Sequence, residues 1–414
     1  MPHRRDGVRA QPTTKAMRTN TGPSTQDLPH PDSAAPIRIG IVAGETSGDL
    51  LGAGLMRELK LRLPGVRFEG IGGPRMQAQG CVCLADMDRL SVIGLEGILH
   101  IPGALLTRRR LTAHFLARRP ALYIGVDAPD FNLSVEEKLR AAGVTTVHYV
   151  SPTVWAWRGY RIRKIRRAVD RMLALFPFEV AYYREHDVPV TFVGHPLADA
   201  IPLTYDTAAL RNALGLPIDR TVVALLPGSR LGELKRHADL FVRTAQWLHG
   251  RHPRLYFVAP FVSPATRALF TDALQRAGAR ALPLTQLTGR SRDALAAADV
   301  VLLASGTATL EAALLRKPMV VTYRVSRLSE MLIRLFAHVR MYALPNLLAG
   351  RLLVPELIQD DATAEKLGAA VEQYIAHPEQ AESVQLALTE MHTALKQNAD
   401  ARAAEAVLEV IRQR

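Results

Sequence analysis

Short apolar runs alternate with amphipathic stretches along most of the chain, and the apolar runs end at small or polar residues. Stretches with the apolar spacing of helices separate several of these runs; one extends from Leu50 to Leu63 and ends before Pro64. In the first half the runs predict strands at Ile37–Ala43, Arg67–Ile71, Leu122–Val126, Thr145–Val150, Met172–Phe176 and Val190–Val193. Apolar strands joined by helices are typical of a parallel sheet covered on both faces.

The same pattern starts again after residue 220. Further strands are predicted at Thr221–Leu226, Leu255–Val258, Val300–Leu303 and Met319–Thr322, and the chain is almost wholly helical from Thr363 to Arg414. We therefore predict an α/β fold with two Rossmann-like domains facing across a cleft, at 36–200 and 201–414. The C-terminal helices are expected to pack back on the first domain. Residues 1–35 lack apolar periodicity and are predicted to form a disordered tail.

Composition changes this picture in one respect. Hydrophobic residues make up 48% and charged residues 22%, as in ordinary globular proteins, but the formal net charge is +13. Such a surplus indicates a polyanionic partner, which leaves nucleic acid, an anionic membrane surface and phosphorylated substrates open. The two cysteines, Cys81 and Cys83, form no zinc set and fit a reducing cytoplasm.

Two turns in the second half have the character of anion sites. Ser305, Gly306 and Thr307 separate a strand from a helix predicted at Ala308–Leu315, so free N–H groups and the helix dipole point at one place. Thr309 belongs to the same segment, and Glu311, one turn in, is placed to accept hydrogen bonds from paired sugar hydroxyls. The alternative is a Ser/Thr-capped helix of any α/β protein.

The second such turn is Gly228-Ser229-Arg230, which follows the strand Thr221–Leu226. Glycine lets a ligand approach the backbone, and an arginine guanidinium binds phosphate oxygens in pairs. Two anion-binding turns at one sheet edge fit one nucleoside diphosphate.

The first half offers candidate catalytic groups at strand ends. Asp127 follows the strand Leu122–Val126 and is a candidate general base, with Asp130 and Asn132 close behind it; the alternative is a turn or a helix cap. Candidate binding residues after the first strand are Glu45, Ser47 and Asp49. Their glycines do not form a dinucleotide fingerprint, and close helix–strand packing is the alternative.

We predict no metal and no cofactor. Asp86-Met87-Asp88 imitates the D-x-D motif by which some glycosyltransferases bind a metal, but it follows no clear strand and is interpreted as a solvated turn.

Two segments indicate attachment to a membrane surface. Ser91–Leu106 is apolar, too short to span a bilayer, and leads into Arg108-Arg109-Arg110. Aromatic residues precede a basic stretch between Trp155 and Arg171, where RNA binding and a solvated basic face are the alternatives. That stretch contains Arg158, Arg161, Arg163, Lys164, Arg166, Arg167 and Arg171.

Taken together, the segments resemble the lipid A disaccharide synthase family from about residue 37 to the C-terminus. The matching motifs are Val42–Asp49, Gly73–Met76, Gly125–Asn132, His148–Arg158, Phe176–Glu179, Val193–Pro196, Leu226–Arg230, Ala304–Glu311 and Leu344–Gly350. Residues 1–35 have no place in the family pattern, and Met17 is an alternative start.

The resemblance implies a metal-independent, inverting glycosyltransferase of the B-type fold. It would transfer diacylglucosamine from UDP-2,3-diacylglucosamine to the 6-hydroxyl of 2,3-diacylglucosamine 1-phosphate, with Asp127 as the base. The second domain would hold UDP through Arg230 and Glu311, with Asn346 on a nearby matched loop, and the first domain would hold the acceptor. His195 and Glu45 are second-choice bases.

The expected location is the cytoplasmic face of the inner membrane of a Gram-negative bacterium. We expect no nucleic-acid partner, and a homodimer is left open. Another UDP-sugar enzyme of the same fold, including an epimerase, is the nearest alternative, and a basic RNA- or membrane-binding protein is the non-enzymatic one.

Overall fold

A computed structural model describes residues 36–87, 90, 101–155, 159–325 and 341–413. Predictions for the N-terminal tail, for most of the apolar segment before residue 101, and for Asp88, Trp157 and Arg158 lie outside these residues. No helix in the described ranges has the length and apolar character needed to cross a bilayer.

Within the described ranges, thirteen parallel strands form two sheets. They are β1 Arg38–Ala43, β2 Arg67–Ile71, β3 Cys81–Cys83, β4 Leu122–Val126, β5 Thr145–Tyr149, β6 Arg171–Ala174, β7 Val190–Phe192, β8 Val222–Leu226, β9 Tyr256–Phe261, β10 Leu284–Thr288, β11 Val300–Ala304, β12 Met319–Tyr323 and β13 Glu356–Ile358. The first sheet has the order β3-β2-β1-β4-β5-β6-β7 and the second β10-β9-β8-β11-β12-β13. The two Rossmann-like sheets confirm the predicted fold class.

Helices connect the strands and cover the sheets. In chain order α1 to α16 are Thr46–Arg62, Pro74–Ala78, Ile101–Arg118, Pro129–Ala141, Ile162–Ala168, Pro177–Glu185, Pro196–Ala200, Thr207–Leu214, Leu231–Arg251, Pro264–Arg276, Ser291–Ala297, Thr307–Leu314, Leu344–Ala349, Ala364–Ala376, Pro378–Leu395 and Ala399–Arg412. Short 3₁₀ turns lie at Gly159–Arg161 and Gln359–Asp361.

Strand order reverses once in each sheet. In the first sheet the chain turns back between β1 and β4, and in the second between β8 and β11. Such switch points leave a crevice at the carboxyl ends of the strands, where open α/β sheets bind ligands. Glu45 and Asp127 follow β1 and β4, and the Gly228 and Ser305 turns follow β8 and β11. The predicted site residues therefore flank both switch points.

The last helix belongs to the core of the first sheet, although it follows the second in sequence. Ala403 and Val407 of α16 are fully buried in the apolar cluster of β1 and α1, and Arg57 of α1 pairs with Asp400 at 2.9 Å. Both carboxylate oxygens of Asp199 accept N–H groups at the start of α16, from Asn398 at 2.9 Å and Ala399 at 2.6 Å. The domain boundary near residue 200 stays a prediction.

Candidate active site

Asp127 lies in a backbone turn that the surrounding structure holds in place. Asp127 and Ala128 both have positive φ, at 52° and 44°, a conformation that costs about 1–3 kcal/mol for each non-glycine residue. The Asp127 N–H donates to the Tyr149 carbonyl at 2.8 Å. A Cβ on Gly44 would come within 2.6 Å of the Ala128 Cβ, so glycine is required there. The half-buried Asp127 side chain is thus placed by its neighbours at the end of β4.

Asn132 supports this turn from below. Its amide is completely buried and donates to the carbonyls of Asp127 at 2.8 Å and Val42 at 3.2 Å, while its oxygen accepts the Tyr123 hydroxyl at 3.0 Å. These contacts tie β1 and β4 to the start of α4. Asn132 therefore positions Asp127, and the prediction that it contacts substrate stays a prediction.

Glu45 lies within electrostatic range of both Asp127 and Arg230. Burial and the negative charge of Asp127 raise the pKa of Glu45, and the positive charge of Arg230 opposes this shift. Glu45 follows β1 of the first sheet and Arg230 follows β8 of the second. Charged groups that follow strands of both sheets therefore act on the Glu45 carboxylate.

The Gly228 turn is shaped by a carboxylate of the helix that follows it. Gly228 has φ 132°, and a Cβ there would lie 2.8 Å from the Glu233 Cβ. Glu233 accepts the N–H groups of Ser229 at 3.3 Å and Arg230 at 3.5 Å. These amides therefore face an anionic oxygen of the protein itself, while Ser229 and Arg230 are both exposed.

The Ser305 turn divides into structural and accessible residues. Thr309 is buried, and its hydroxyl donates to the Gly306 carbonyl at 2.7 Å, so it holds the turn instead of facing a ligand. Ser305 is half-buried, and its backbone N–H donates to the Thr322 carbonyl at 2.9 Å, which extends the pairing of β11 with β12. Gly306 and Thr307 are exposed at the start of the eight-residue helix α12. Glu311 lies 3.8 Å from Arg292, a neighbour the sequence did not indicate.

His195 is held in its neutral form. It caps α7 by accepting the Leu197 N–H on Nδ1 at 3.1 Å. Burial lowers the pKa of His195 to about 4, although the charge of Asp199 favours protonation. A ring with so low a pKa and an occupied Nδ1 is poorly suited to be a general base at neutral pH, which argues against His195 as the second-choice base.

Two predicted binding residues have other tasks. Asp49 is 1% exposed and accepts N–H groups of Gly73, Arg75 and Met76 at 2.8–3.0 Å, which caps α2. Asn346 is fully buried and holds the loop at 353–356, donating to the Val354 carbonyl and to Glu356. The polar atoms of both residues are thus engaged inside the protein. Asp49 was predicted from its place after the first strand and Asn346 from its matched loop, and both binding roles stay predictions.

Ser47 and Asp130 remain at the surface. Ser47 is exposed in the first turn of α1, beside Glu45. Asp130 is exposed but forms an ion pair with Arg161 of the predicted basic stretch.

Most other described members of that stretch also have partners. Arg167 pairs with Glu137 at 2.9 Å and Lys164 donates to Ser134 at 2.7 Å. Arg166 lies 3.9 Å from Asp187 and Arg171 donates to Thr191 at 3.0 Å. Much of the predicted basic face is therefore engaged within the first half of the protein.

His237 joins two loops of the second sheet, a role that was not predicted from the sequence. Its buried ring donates from Nδ1 to the Pro227 carbonyl at 3.1 Å and accepts the Arg324 N–H on Nε2 at 2.9 Å. Burial lowers its pKa, which favours the neutral tautomer that both bonds require. The available signal was a polar residue on the apolar face of α9, between Leu234 and Phe241.

Glu179 is a second residue near the strand ends that was not predicted from the sequence. It is 3% exposed, and its Oε2 accepts the Phe176 N–H at 3.1 Å. Burial raises the pKa of Glu179 to about 7, against the hydrogen bonds from the Phe176 N–H, Ser151 and Trp155 that lower it. Its sequence signal was its place in the matched segment Phe176–Glu179.

Metal-binding side chains do not converge in the described part of the chain, where no three His, Cys, Asp or Glu residues form a cluster suited to an ion.

Comparison with known proteins identifies close relatives over nearly the whole described chain. Residues 39–411 match the family model described as lipid-A-disaccharide synthetase. A lipid-A-disaccharide synthase of Hahella chejuensis is 50% identical over 382 residues, covering 92% of this chain and 96% of that protein. One from Pseudomonas aeruginosa strain UCBPP-PA14 is 53% identical over 379 residues, covering 91% and 99%.

Solved structures with low identity share the fold. A UDP-GlcNAc 2-epimerase from Neisseria meningitidis, bound to UDP-GlcNAc, has a TM-score of 0.60 at 13% identity and covers 91% of this chain and 100% of its own. The calicheamicin glycosyltransferase CalG4 has a TM-score of 0.54 at 15% identity, covering 92% and 99%.

Proposed function

Because the chain belongs to the lipid-A-disaccharide synthase family, we propose that the crevice around Asp127 joins two diacylated glucosamines. The sugar donor is UDP-2,3-diacylglucosamine and the acceptor is 2,3-diacylglucosamine 1-phosphate. The products are the β-1,6-linked lipid A disaccharide 1-phosphate and UDP. The observation that carries the proposal is that Asp127 of the first sheet and Arg230 of the second both act electrostatically on Glu45, at the strand ends beside the switch points.

The proposed step is a single inverting displacement. Asp127 takes the proton of the acceptor 6-hydroxyl, and that oxygen forms a bond to the anomeric carbon as the bond from this carbon to the UDP oxygen breaks. The electron pair leaves with UDP. Arg230 and the start of α12 stabilise the charge that develops on the diphosphate. Glu311 holds the ribose hydroxyls.

The strained turn serves this chemistry by fixing the base. A general base must stay within hydrogen-bond reach of the proton that it removes. Asn132 and Tyr149 hold the Asp127 backbone in a conformation that an unsupported aspartate would leave. We infer that Glu45, at the same edge, binds acceptor hydroxyls.

An assay of disaccharide formation tests the proposal. Purified protein is incubated in detergent with both substrates and a chelator, and mass spectrometry detects the disaccharide phosphate. In Asp127→Asn we expect kcat to fall by roughly 10²–10⁴-fold, because the amide cannot accept the proton, while UDP binding is retained. Asp219→Asn, an exposed carboxylate of the second half, is the control that keeps wild-type activity.

Either of two outcomes would contradict the proposal. Absence of both disaccharide and UDP from folded wild-type protein would remove the reaction itself. Near-wild-type turnover by Asp127→Asn would leave the reaction but remove Asp127 as its base.

The acylated substrates also require a membrane-facing surface, and α3 offers one. Leu105 and Leu106 are 42% and 49% exposed, beside the exposed Arg109 and Arg110. Apolar side chains next to cations favour an anionic lipid surface. We infer that this end of α3 contacts the cytoplasmic face of the inner membrane.

A further inference from the structure

Four ring side chains lie in an unbroken row beside the ends of β5, β6 and β7. The Trp155 ring is 4.8 Å from that of Phe178, Phe178 stacks on Phe176 at 5.8 Å, and Phe176 is 5.7 Å from His195. All four are half-buried, so part of each side chain faces solvent. We call these four residues the aromatic row.

The row continues from the turn that holds Asp127. The Asp127 N–H donates to Tyr149 at the end of β5, the Val150 N–H to Leu173 of β6, and the Val193 N–H to Ala174. The ends of β4 to β7 therefore stand side by side, spaced about 4.8 Å apart. The row begins at β5, the strand next to Asp127, and follows three adjacent strand ends over roughly 10 Å, the width of two strand spacings.

Packing of the core does not account for the rings of Phe178 and Trp155. Phe178 and Trp155 belong to none of the buried apolar clusters in the described residues. The turn that carries Phe178 is nevertheless fixed, because Glu179 accepts the Phe176 N–H. Rigid, partly exposed aromatic rings with polar groups beside them are typical of ligand sites.

Polar groups accompany the rings of the aromatic row. The Trp155 indole N–H and the Ser151 hydroxyl lie near the Glu179 carboxyl, and His195 contributes its imidazole at the far end. A pyranose ring has apolar C–H faces and a rim of hydroxyls, which matches aromatic faces with polar edges.

We propose that the aromatic row binds the glucosamine ring of the acceptor and directs its 6-hydroxyl toward Asp127. This inference rests on the proposed function and specifies its acceptor site. Phe178, at the centre of the row, provides a stacking surface, and Glu179 is a positioning residue that holds the turn.

Steady-state kinetics with Phe178 variants test the assignment. Loss of the ring in Phe178→Ala should raise the acceptor KM by roughly 3- to 10-fold, the effect of one aromatic contact. The KM for UDP-2,3-diacylglucosamine should stay within about 2-fold, since that substrate binds the opposite sheet. Phe178→Trp keeps an aromatic face and should restore the acceptor KM, whereas Phe178→Leu keeps apolar volume alone and should not.

Acceptors of different acyl length separate the sugar from its chains. Ring binding predicts the same fold-change in acceptor KM for short-chain and long-chain acceptors. A loss that grows with chain length, or full activity of Phe178→Leu, would overturn the assignment to the sugar ring. Equal changes in both substrate KM values would also overturn it.

These experiments distinguish a failure of the acceptor-site assignment from a failure of the proposed reaction. If wild-type protein forms disaccharide and Phe178→Ala is unchanged, the acceptor site lies elsewhere and the reaction stands. If wild-type protein forms no disaccharide, the reaction itself fails. Direct binding of acceptor to Asp127→Asn, measured with and without Phe178→Ala, then still tests the row.

Discussion

At the scale of single residues, the site depends on side chains that hold other groups in place. Asp127 is positioned by Asn132, and the Gly228 turn is tied to Arg324 through His237. Asn132 and His237 are fully buried, so neither is placed to contact a ligand. Both residues restrict the conformations of the turns that they hold before substrate binds. Such restriction keeps catalytic groups in their reactive positions.

His237→Phe tests this idea in the second sheet. The ring remains but both hydrogen bonds are lost, and the Pro227 carbonyl and Arg324 N–H are left unpaired, at a cost of about 1–3 kcal/mol in the free energy of unfolding. We expect the KM for UDP-2,3-diacylglucosamine to rise by roughly 10-fold, while the acceptor KM is unchanged.

A matched control is available on the same helix. His252 ends α9 far from the Gly228 turn and contacts Glu372, so His252→Phe should leave both KM values near wild type. Equal increases of both KM values in His237→Phe would show a general loss of structure and contradict a positioning role.

At the scale of elements, buried carboxylates fix where helices begin. Asp49 caps α2 from a distant part of the chain, and Glu179 caps α6 from within its first turn. A capping interaction stabilises a protein by about 1 kcal/mol. Glu179 differs from an exposed capping carboxylate because burial raises its pKa to about 7.

This retention predicts a pH-dependent effect of Glu179→Gln. An unfolded glutamate releases its proton near pH 4.5 and the folded one near pH 7, so the folded state binds more protons between these values. The free energy of unfolding of the wild type therefore falls as pH rises through that window, by at most about 3 kcal/mol. Glutamine accepts the same N–H without titrating, so this decrease should be absent from the variant.

Urea unfolding at pH 5 and pH 8 measures the difference. The stability of Glu179→Gln relative to wild type should improve at the higher pH. Contributions from His195 cancel because both proteins contain it. An identical difference at the two pH values would contradict a raised pKa of Glu179.

At the scale of the whole molecule, the exposed end of α3 is the surface that we propose for membrane attachment. The formal charge of +13 favours anionic surfaces in general, but ion pairs such as Arg167 with Glu137 reduce what the α5 region contributes. The exposed leucines and arginines of α3 are thus the better candidate for attachment.

Vesicle binding tests the α3 surface. Leu105→Asp combined with Leu106→Asp should reduce binding to anionic vesicles on the order of 10-fold, because apolar contact is lost and negative charge is added. Raising the salt concentration should weaken wild-type binding. Leu61→Asp, which alters a leucine that is 72% exposed on α1, should bind as the wild type does. Equal loss in both variants would exclude a specific role for α3.

The sequence determined much of the fold through local patterns. Ten of the strands were predicted within a few residues, because central strands of parallel sheets are continuous apolar runs. The missed strands were β3, β10 and β13, which lie at sheet edges. Edge strands are half-exposed, so they lack the apolar run that identifies a buried strand.

The turns that carry Asp127, Arg230 and Glu311 were also found by sequence, since a glycine or proline beside polar residues after an apolar run is a local signal. What local signals cannot show is where a side chain points. Asp49 lies in the first turn of α1 and Asn346 in α13, yet hydrogen bonds from the Met76 and Val354 N–H groups hold their side-chain oxygens inside the protein. Likewise, the basic stretch was visible in the sequence, but its partners on α4 lie about 30 residues away.

Only the tertiary structure decided which residues meet. Arg230 follows a strand of the second sheet, yet its charge acts on Glu45, which follows a strand of the first. The aromatic row forms because three strand ends, separate in sequence, stand in register. Sequence patterns specify elements through local free energy, whereas these encounters arise from packing across the whole chain, which no single segment encodes.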